Sequence, residues 1–396
     1  MIGVKNVLYP VLCALCWGAF LSKVRGLRLR QRDPALLALV VAFAVKGAAF
    51  LLATPRVARA VDRRVGVDDL AALGIHLLGG VAFGAAVLVV LVYWAHNPDE
   101  AWRRARWRLG VAALVMATMF SLWLAAGTAT QPRSNHYLVQ NAHRPLVAIY
   151  LLLYVTTLLV ALGEIARLCL KYAGPAGRPW LRRGLRVTAV GALVHSVNFL
   201  SRAFSIVAIQ LGMDPLEWEW LILVGTGVGV PLMVAGLTMP SWGPHLSHLR
   251  RWWGNYRTYW RLYPLWRDLC RASPPIAMQP RARSVTDLNY RLYRRVIEIR
   301  DGFLALRSYQ SPEVRRQALR SGRAVGLTGD ELEAVAAAAQ LRAALRAKAN
   351  GCAVPDRDTG GAHEREAFEL LRGDDLATEA TWLAQIARAY THSPVG

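Results

Sequence analysis

Four polar residues that lie inside long apolar stretches are the candidates for chemistry in this sequence. His195, Asn198 and Arg202 follow one another at intervals of three and four residues, so they share one face of a helix. Lys46 lies in a different apolar stretch. Ionisable side chains within membrane-spanning helices usually face the interior of the bundle and mark solute or ion pathways. Two cations at a similar depth therefore predict an intramembrane site for a small anionic solute.

A purely structural explanation competes with this hypothesis. The long side chains of Lys46 and Arg202 can extend toward the nearer end of their own helices. Arg202 can then pair with an acidic residue of the following loop. The acidic residues in reach are Asp214, Glu217 and Glu219. His195 by itself fits an interhelical hydrogen bond as well as a proton-transfer role.

The signatures of common enzymes, cofactor sites and metal sites are missing. Gly225, Gly227 and Gly229 lie inside an apolar stretch rather than after a strand, so they do not form a dinucleotide-binding loop. Cys13 and Cys16 form a CxxC pair, but their neighbours are apolar and supply no further ligands. Packing is the favoured role for both cysteines. We predict a protein that is not an enzyme and that holds neither a metal nor a cofactor.

The stretches around these residues are long enough to cross a membrane. Hydrophobic residues make up 54% of the 396 residues and gather before Pro240 in blocks. Each block has about 20 residues, the length that crosses the hydrocarbon core as a helix. The predicted spans are residues 5–22, 35–53, 70–94, 109–127, 146–166, 185–210 and 219–239. The predicted fold class is all-α, a polytopic membrane helix bundle followed by a cytosolic helical domain.

Two small-residue motifs and two prolines refine this layout. Gly80 and Gly84 in the third span, and Gly225 and Gly229 in the seventh, have the spacing that permits close packing of helices. The sequence also predicts that the last span ends at Pro240 and Pro244, because proline interrupts helical hydrogen bonding.

The distribution of Lys and Arg predicts the orientation. Alternate loops differ in charge, the basic set being residues 23–34, 95–108 and 167–184 and the other set 54–69, 128–145 and 211–218. The first set carries 14 Lys and Arg residues and the second carries six. The positive-inside rule then places the N-terminus outside and the C-terminus in the cytosol of a multi-pass plasma-membrane protein.

The overall charge indicates the kind of partner. The net charge of +22 is spread over both halves of the chain rather than gathered in a tail. We therefore expect the lipid bilayer, with its anionic lipids, rather than nucleic acid to be the main partner.

The segment after the last predicted span, residues 241–271, interleaves aromatic residues with arginines. Leu246, Leu249, Trp253, Tyr256 and Trp260 are spaced by three and four residues, as on one helical face. A juxtamembrane amphipathic helix at the inner membrane interface is the favoured interpretation, and packing on the rest of the tail is the alternative. The candidate membrane-interface residues are Trp252, Trp253, Trp260, Arg250 and Arg257.

The remaining pattern divides the chain into domains. A transmembrane domain occupies residues 1–240, and a cytosolic helical domain occupies 272–350. A flexible loop region at 351–373 and a C-terminal helix at 374–396 complete the prediction. The cytosolic domain has one charged cluster with helical spacing, which serves equally well as a docking surface or as a structural ion-pair network. Its members are Arg291, Arg294, Arg295, Glu298 and Asp301.

Four segments, residues 32–36, 177–186, 237–244 and above all 290–302, carry a resemblance to a known family. The sequence resembles actinobacterial seven-span membrane proteins that are labelled transporters, and the resemblance fades after Asn350. It implies a C-terminal cytosolic domain of unknown function and brings no catalytic residues. Small-solute transport is the function that the resemblance implies. The alternative is a membrane-anchored signalling or scaffold protein whose cytosolic domain recruits a partner protein.

Overall fold

The computed structural model describes residues 2–29, 33–67, 70–127, 144–210, 219–277, 287–353 and 376–392. Every regular element within these ranges is a helix, which confirms the predicted all-α fold class. The chain forms two compact units, Met1–Pro244 and His245–Gly396.

Unit 1 is built mainly from long apolar helices. Its helices are α1 (Ile2–Leu29), α2 (Pro34–Ala53), α3 (Pro55–Val65), α4 (Leu70–Gly74), a π-helix (Ile75–Ala82), α5 (Phe83–Ala95), α6 (Pro98–Ala125), α7 (Pro145–Ala173), α8 (Pro179–Gln210) and α9 (Glu219–Arg261). The last of these continues into the second unit. Seven helical segments of the described chain are long and apolar enough to cross a membrane, with α4, the π-helix and α5 together forming the third. The predicted number of spans is therefore confirmed.

The starts of the spans follow from local sequence. Four of the seven begin at a proline, a residue that suits the first helical position because it has no N–H to leave unpaired. At the start of α2, the Asp33 carboxylate accepts hydrogen bonds from the N–H groups of Ala35 and Leu36, at 3.0 and 3.2 Å. This N-cap fixes the point at which the second span begins.

The sequence predicts that the seventh span ends at Pro240 and Pro244. The helix itself does not end there, because α9 continues to Arg261, whereas the boundary between the two units does fall at Pro244. A proline leaves the carbonyl four residues earlier without its helical donor. For Pro240 that carbonyl belongs to Gly236, and it lies so close to Gly184 of α8 that a Cβ on Gly184 would be 2.6 Å away. A carbonyl in contact with glycine Cα–H retains a weak partner, which offsets part of the lost bond.

The predicted juxtamembrane helix at 241–271 is consequently not a separate element. Its first part belongs to α9, and its last part is α10 (Tyr263–Ala272), with Leu262 at the break. Proline at 264 fits the first turn of α10.

Side-chain contacts show which helix ends of unit 1 lie together. Lys23 donates a hydrogen bond to Ser241, which joins the C-terminal part of α1 to the last turn of α9 that belongs to unit 1. The rings of Trp180 and Trp242 are 6.0 Å apart, so the start of α8 lies there too. The fourth and fifth spans are joined by Arg108, whose guanidinium is 3.1 Å from the Glu164 carboxylate. Because α7 and α8 are joined by a short connection, the three basic loops share one end of unit 1.

Unit 2 is a set of helices around a core of its own. Its described helices after α9 are α10, α11 (Leu288–Ala305), α12 (Pro312–Ala324), α13 (Gly329–Ala349) and α14 (Leu376–His392), with short 3-10 turns at Pro274–Ile276 and Arg307–Tyr309. The core combines residues from α9 to α11 with the alanine-rich face of α13 and with α14. The predicted loop region lies outside the described residues from position 354 onward, and the predicted C-terminal helix is observed as α14.

Candidate functional site

Lys46 is buried in the middle of α2 without contacting a carboxylate in the described part of the chain. Its Nζ donates a hydrogen bond of 2.8 Å to the carbonyl of Gly79 in the π-helix. The rings of Phe50 and Phe83 lie 5.3 and 4.7 Å from the same nitrogen, close enough for cation–π attraction. A carbonyl dipole and two ring faces thus stabilise this ammonium in place of a counter-ion.

The π-helix that supplies this carbonyl packs tightly against its neighbours through two glycines. A Cβ on Gly79 would lie 2.5 Å from the Cβ of Ala49 in α2, and one on Gly80 would lie 2.7 Å from the Tyr154 ring in α7. π-helical turns are rare and often occur at functional sites. Here the glycines let the third span approach both neighbours and bring the Gly79 carbonyl to Lys46.

His195 and Asn198 lie at a close contact between the backbones of α8 and α9. A Cβ on Gly229 would be 2.6 Å from the backbone nitrogen of His195, and one on Gly225 would be 2.7 Å from that of Asn198. The predicted role of these two glycines, close helix packing, is observed. The packing also places the Gly225 carbonyl 3.2 Å from His195 Nδ1.

The other ring nitrogen of His195 is the unusual feature of this site. The His195 side chain is 2% exposed, and its Nε2 has no hydrogen-bond partner among the described residues. Lys46 and Arg202 both lie within electrostatic range of this imidazole. A buried polar atom without a partner costs free energy, so its presence calls for a ligand or a mechanism.

Arg202 lies one turn beyond Asn198 on the same face of α8. It is half-buried, and its Nε donates a 3.1 Å hydrogen bond to the Asn198 side-chain oxygen. The acidic residues that the sequence offers as alternative partners, Asp214, Glu217 and the side chain of Glu219, lie outside the described residues. The observed contact fixes the guanidinium beside Asn198 rather than showing it extended along the helix.

Sequence reasoning missed a histidine and two tyrosines that join this region. His76, in the π-helix, has its Nδ1 2.8 Å from the Tyr150 hydroxyl, and its ring is 4.1 Å from that of Tyr154. The Tyr154 ring is in turn 5.7 Å from Phe199, which is 5.2 Å from His195. The rule that singled out His195, an ionisable group within a span, also applies to His76.

These residues form one group, which we call the intramembrane cluster: Lys46, His76, His195, Asn198 and Arg202. Four of its members are less than 8% exposed and only Arg202 is half-buried, so the cluster is closed in this conformation. Two side chains of the cluster are cationic, and in the described chain none of its members contacts a carboxylate. Such an environment favours an anion over a cation.

The cysteines and possible metal ligands give no second site in unit 1. Cys16 is fully buried, and the Cys13 thiol donates to the carbonyl of Gly47 at 3.5 Å, so the CxxC pair packs against α2. Within the ranges that the structure describes, no group of three or more His, Cys, Asp or Glu side chains is placed to hold a metal ion.

The predicted membrane-interface residues lie on the second half of α9 and are exposed. Trp252, Trp253 and Trp260 are 45%, 48% and 50% exposed. The core of unit 2 is built instead from a different face, which includes Tyr259 and Leu262. The two predicted roles, exposed aromatic face and packing surface, therefore belong to neighbouring faces, since Tyr259 lies seven residues after Trp252 and so at the border of the exposed face.

The charged cluster of α11 forms an internal network. The Arg295 guanidinium lies 3.6 Å from the Tyr259 ring centre and 4.6 Å from that of Trp266, and burial lowers the pKa of this arginine. The Glu298 carboxylate accepts hydrogen bonds from Arg294 and from the Trp266 indole, at 2.8 and 2.6 Å. These contacts assign a structural role to most of the cluster, while Asp301 is exposed.

Comparison with known proteins gives a family match in the C-terminal part of the chain. Residues 251–393 match a family described as "Family of unknown function (DUF6545)". Neither a curated protein nor a solved structure matches the chain. The structure thus gives seven apolar helices, and the comparisons add that the C-terminal part is similar to a family of unknown function.

Proposed function

We propose that this protein binds a small anionic solute within its seven-helix bundle and transports it. The observation that supports this most directly is that one cluster contains both the buried ammonium of Lys46 and the His195 Nε2, which has no hydrogen-bond partner among the described residues. A carboxylate or phosphate group would neutralise the cation. Because Nδ1–H of His195 donates to the Gly225 carbonyl, Nε2 accepts a hydrogen bond from a hydroxyl of the solute while the ring is neutral, and it donates to the anion only once the ring is protonated. Charged groups inside a membrane are costly, and they are mostly found where an ion or solute passes.

The location of the cluster supports access of the solute from the extracellular side of the membrane. The basic loops share one end of unit 1, and the positive-inside rule assigns that end to the cytosol of a plasma-membrane protein. The N-terminus then lies outside and the C-terminus inside. With that orientation, Lys46 belongs to the outer half of the hydrocarbon core, because it is 12 residues, or roughly 18 Å along the helix axis, from the start of α2.

Because the cluster is closed, binding requires the bundle to open. The opening is assigned to the glycine contacts between α8 and α9, since they contain few side chains to separate. The structure then corresponds to an occluded conformation, and a transport cycle alternates it with open ones.

The test is a stability measurement on the full chain in lipid nanodiscs. Phosphate, sulfate and small mono- and dicarboxylates are added in turn to wild type and to Lys46→Met. A ligand at 100 times its Kd stabilises the state that binds it by about 2.7 kcal/mol. At least one anion should stabilise wild type and leave Lys46→Met unchanged.

A matched control removes a positive charge elsewhere. Lys171 is exposed at the end of α7, so Lys171→Gln should respond to the anion like wild type. If no anion stabilises wild type, or if Lys46→Met responds equally well, the proposal is wrong.

A membrane-anchored signalling or scaffold protein is the second candidate. Its support is that unit 2 has its own core and its own family match. This function predicts that the full chain, purified from its native membrane, retains a cytosolic protein in a fixed ratio. Retention should be unaffected by Lys46→Met and lost when exposed charges of α12, such as Arg316, are reversed.

A further inference from the structure

The second half of α9 presents a continuous aromatic face to its surroundings. We define this aromatic face by its exposed members, Leu246, Leu249, Trp252, Trp253, Tyr256 and Trp260. The rings contact one another along the helix, with centroid distances of 5.5 Å from Trp252 to Tyr256 and 6.2 Å from Tyr256 to Trp260. Leu249, at the start of the face, is 60% exposed. The six side chains of the aromatic face together expose far more apolar surface than a single exposed side chain does.

Arginines border this face along one edge. Arg250, Arg257 and Arg261 are spaced by seven and four residues, so they line up along the helix beside the aromatic face. The Arg257 guanidinium lies 5.5 Å from the Trp253 ring centre. All three are exposed. The opposite border of the face is different, because there α9 packs into the core of unit 2 through Tyr259 and Leu262.

The charge of this region decides what kind of partner fits it. Between Glu219 and Asp268 the sequence contains five arginines and no acidic residue. A second copy meeting the same face would bring arginines against arginines with no carboxylate between them. A surface of anionic headgroups supplies the missing negative charge along its whole length.

We propose that the aromatic face binds the surface of an anionic lipid bilayer, with its rings at headgroup depth and its arginines on lipid phosphates. The face follows directly on the apolar part of the seventh span, in the same helix. Tryptophan and tyrosine are the residues enriched at membrane interfaces. This inference is independent of the proposed solute site, since none of its residues belongs to the intramembrane cluster.

Photo-crosslinking of the full chain tests this directly. The photoreactive residue p-benzoylphenylalanine replaces Trp253, and the protein is reconstituted into phosphatidylcholine vesicles with or without phosphatidylglycerol. After irradiation, mass spectrometry should find a lipid adduct at position 253, with a higher yield in the anionic vesicles. The same residue placed at Val325, which is exposed at the end of α12, serves as the positional control and should give a lower yield.

The arginine edge is tested in the same crosslinking background. Replacing Arg250, Arg257 and Arg261 with glutamine should reduce the yield in anionic vesicles, by up to about fivefold for each charge removed. The control triple variant, Arg316→Gln, Arg320→Gln and Arg323→Gln on α12, removes the same charge from exposed positions of the same unit and should leave the yield unchanged.

Three results would overturn the proposal. They are a covalent dimer as the main product at position 253, equal yields with and without phosphatidylglycerol, and no response to the three substitutions at the arginine edge. Circular dichroism of each variant establishes that a low yield does not come from loss of the fold.

Discussion

The close approach of α8 and α9 makes a quantitative prediction for Gly229→Ala. The new Cβ would lie 2.6, 2.7 and 2.8 Å from the backbone nitrogen, Cβ and Cα of His195. Carbon atoms in ordinary contact are about 3.5–4.0 Å apart, so the two helices must separate by roughly 1 Å. Overpacking of this kind costs about 1–3 kcal/mol, and a backbone neighbour cannot move aside as a side chain can.

The matched control is Gly163→Ala in α7, where an added Cβ meets nothing within 4 Å. Alanine there gains up to about 1 kcal/mol from its higher helix propensity. Both glycines lie inside helices, so this gain applies to both variants, and overpacking should make Gly229→Ala less stable than Gly163→Ala by about 1–3 kcal/mol in free energy of unfolding. SDS titration in mixed micelles, followed by circular dichroism, measures this difference. If Gly229→Ala unfolds at the same SDS fraction as Gly163→Ala or at a higher one, the described helix contact is wrong.

Unit 2 supports three further predictions. Arg295→Ala should destabilise the unit by about 2–3 kcal/mol, because a charged hydrogen bond to the Tyr259 carbonyl is lost. Urea titration of the full chain, followed by circular dichroism, measures this change. In the same titration Arg300→Ala, at a 40% exposed arginine, should cost less than about 1 kcal/mol. Burial and the hydrogen bond to Asp268 raise the pKa of Tyr390 to about 12. Since an unfolded tyrosine titrates near about 10, this residue's contribution to stability should be complete below that pH and lost as the pH rises through about 12, a loss that Tyr390→Phe abolishes. Burial also raises the pKa of Cys270, so a maleimide should label it more slowly than the exposed Cys352.

The parts of the fold that depend on local sequence were predictable. Block length identified seven apolar helices, and a cap such as Asp33 followed by proline marks where α2 begins. The continuation of the seventh helix beyond its apolar part was not predictable in this way. Proline normally ends a helix, but here a glycine contact about 50 residues away along the chain helps α9 continue past Pro240.

The candidate site shows the same division. Spacing alone placed His195, Asn198 and Arg202 on one face, and the structure keeps them there. Whether Lys46 would meet an acid, a carbonyl or a ring depended on the third span, which contributes the Gly79 carbonyl and the Phe83 ring. A contact between residues 33 positions apart leaves no periodic trace in the sequence.

The insertion of the bundle in the membrane, in the orientation proposed above, is the central claim: the solute site and the aromatic face both need the insertion, and access to the site from outside needs the orientation. It is tested most directly by two assays on membrane vesicles that carry the protein with a C-terminal tag. Carbonate washing tests whether the protein stays in the membrane, and protease digestion of right-side-out and inside-out vesicles tests which side the tag is on. The account predicts that the protein stays in the membrane pellet and that the tag is cleaved only in inside-out vesicles, because the basic end of unit 1 faces the cytosol. Release of the protein by carbonate, or cleavage of the tag only in right-side-out vesicles, would contradict it.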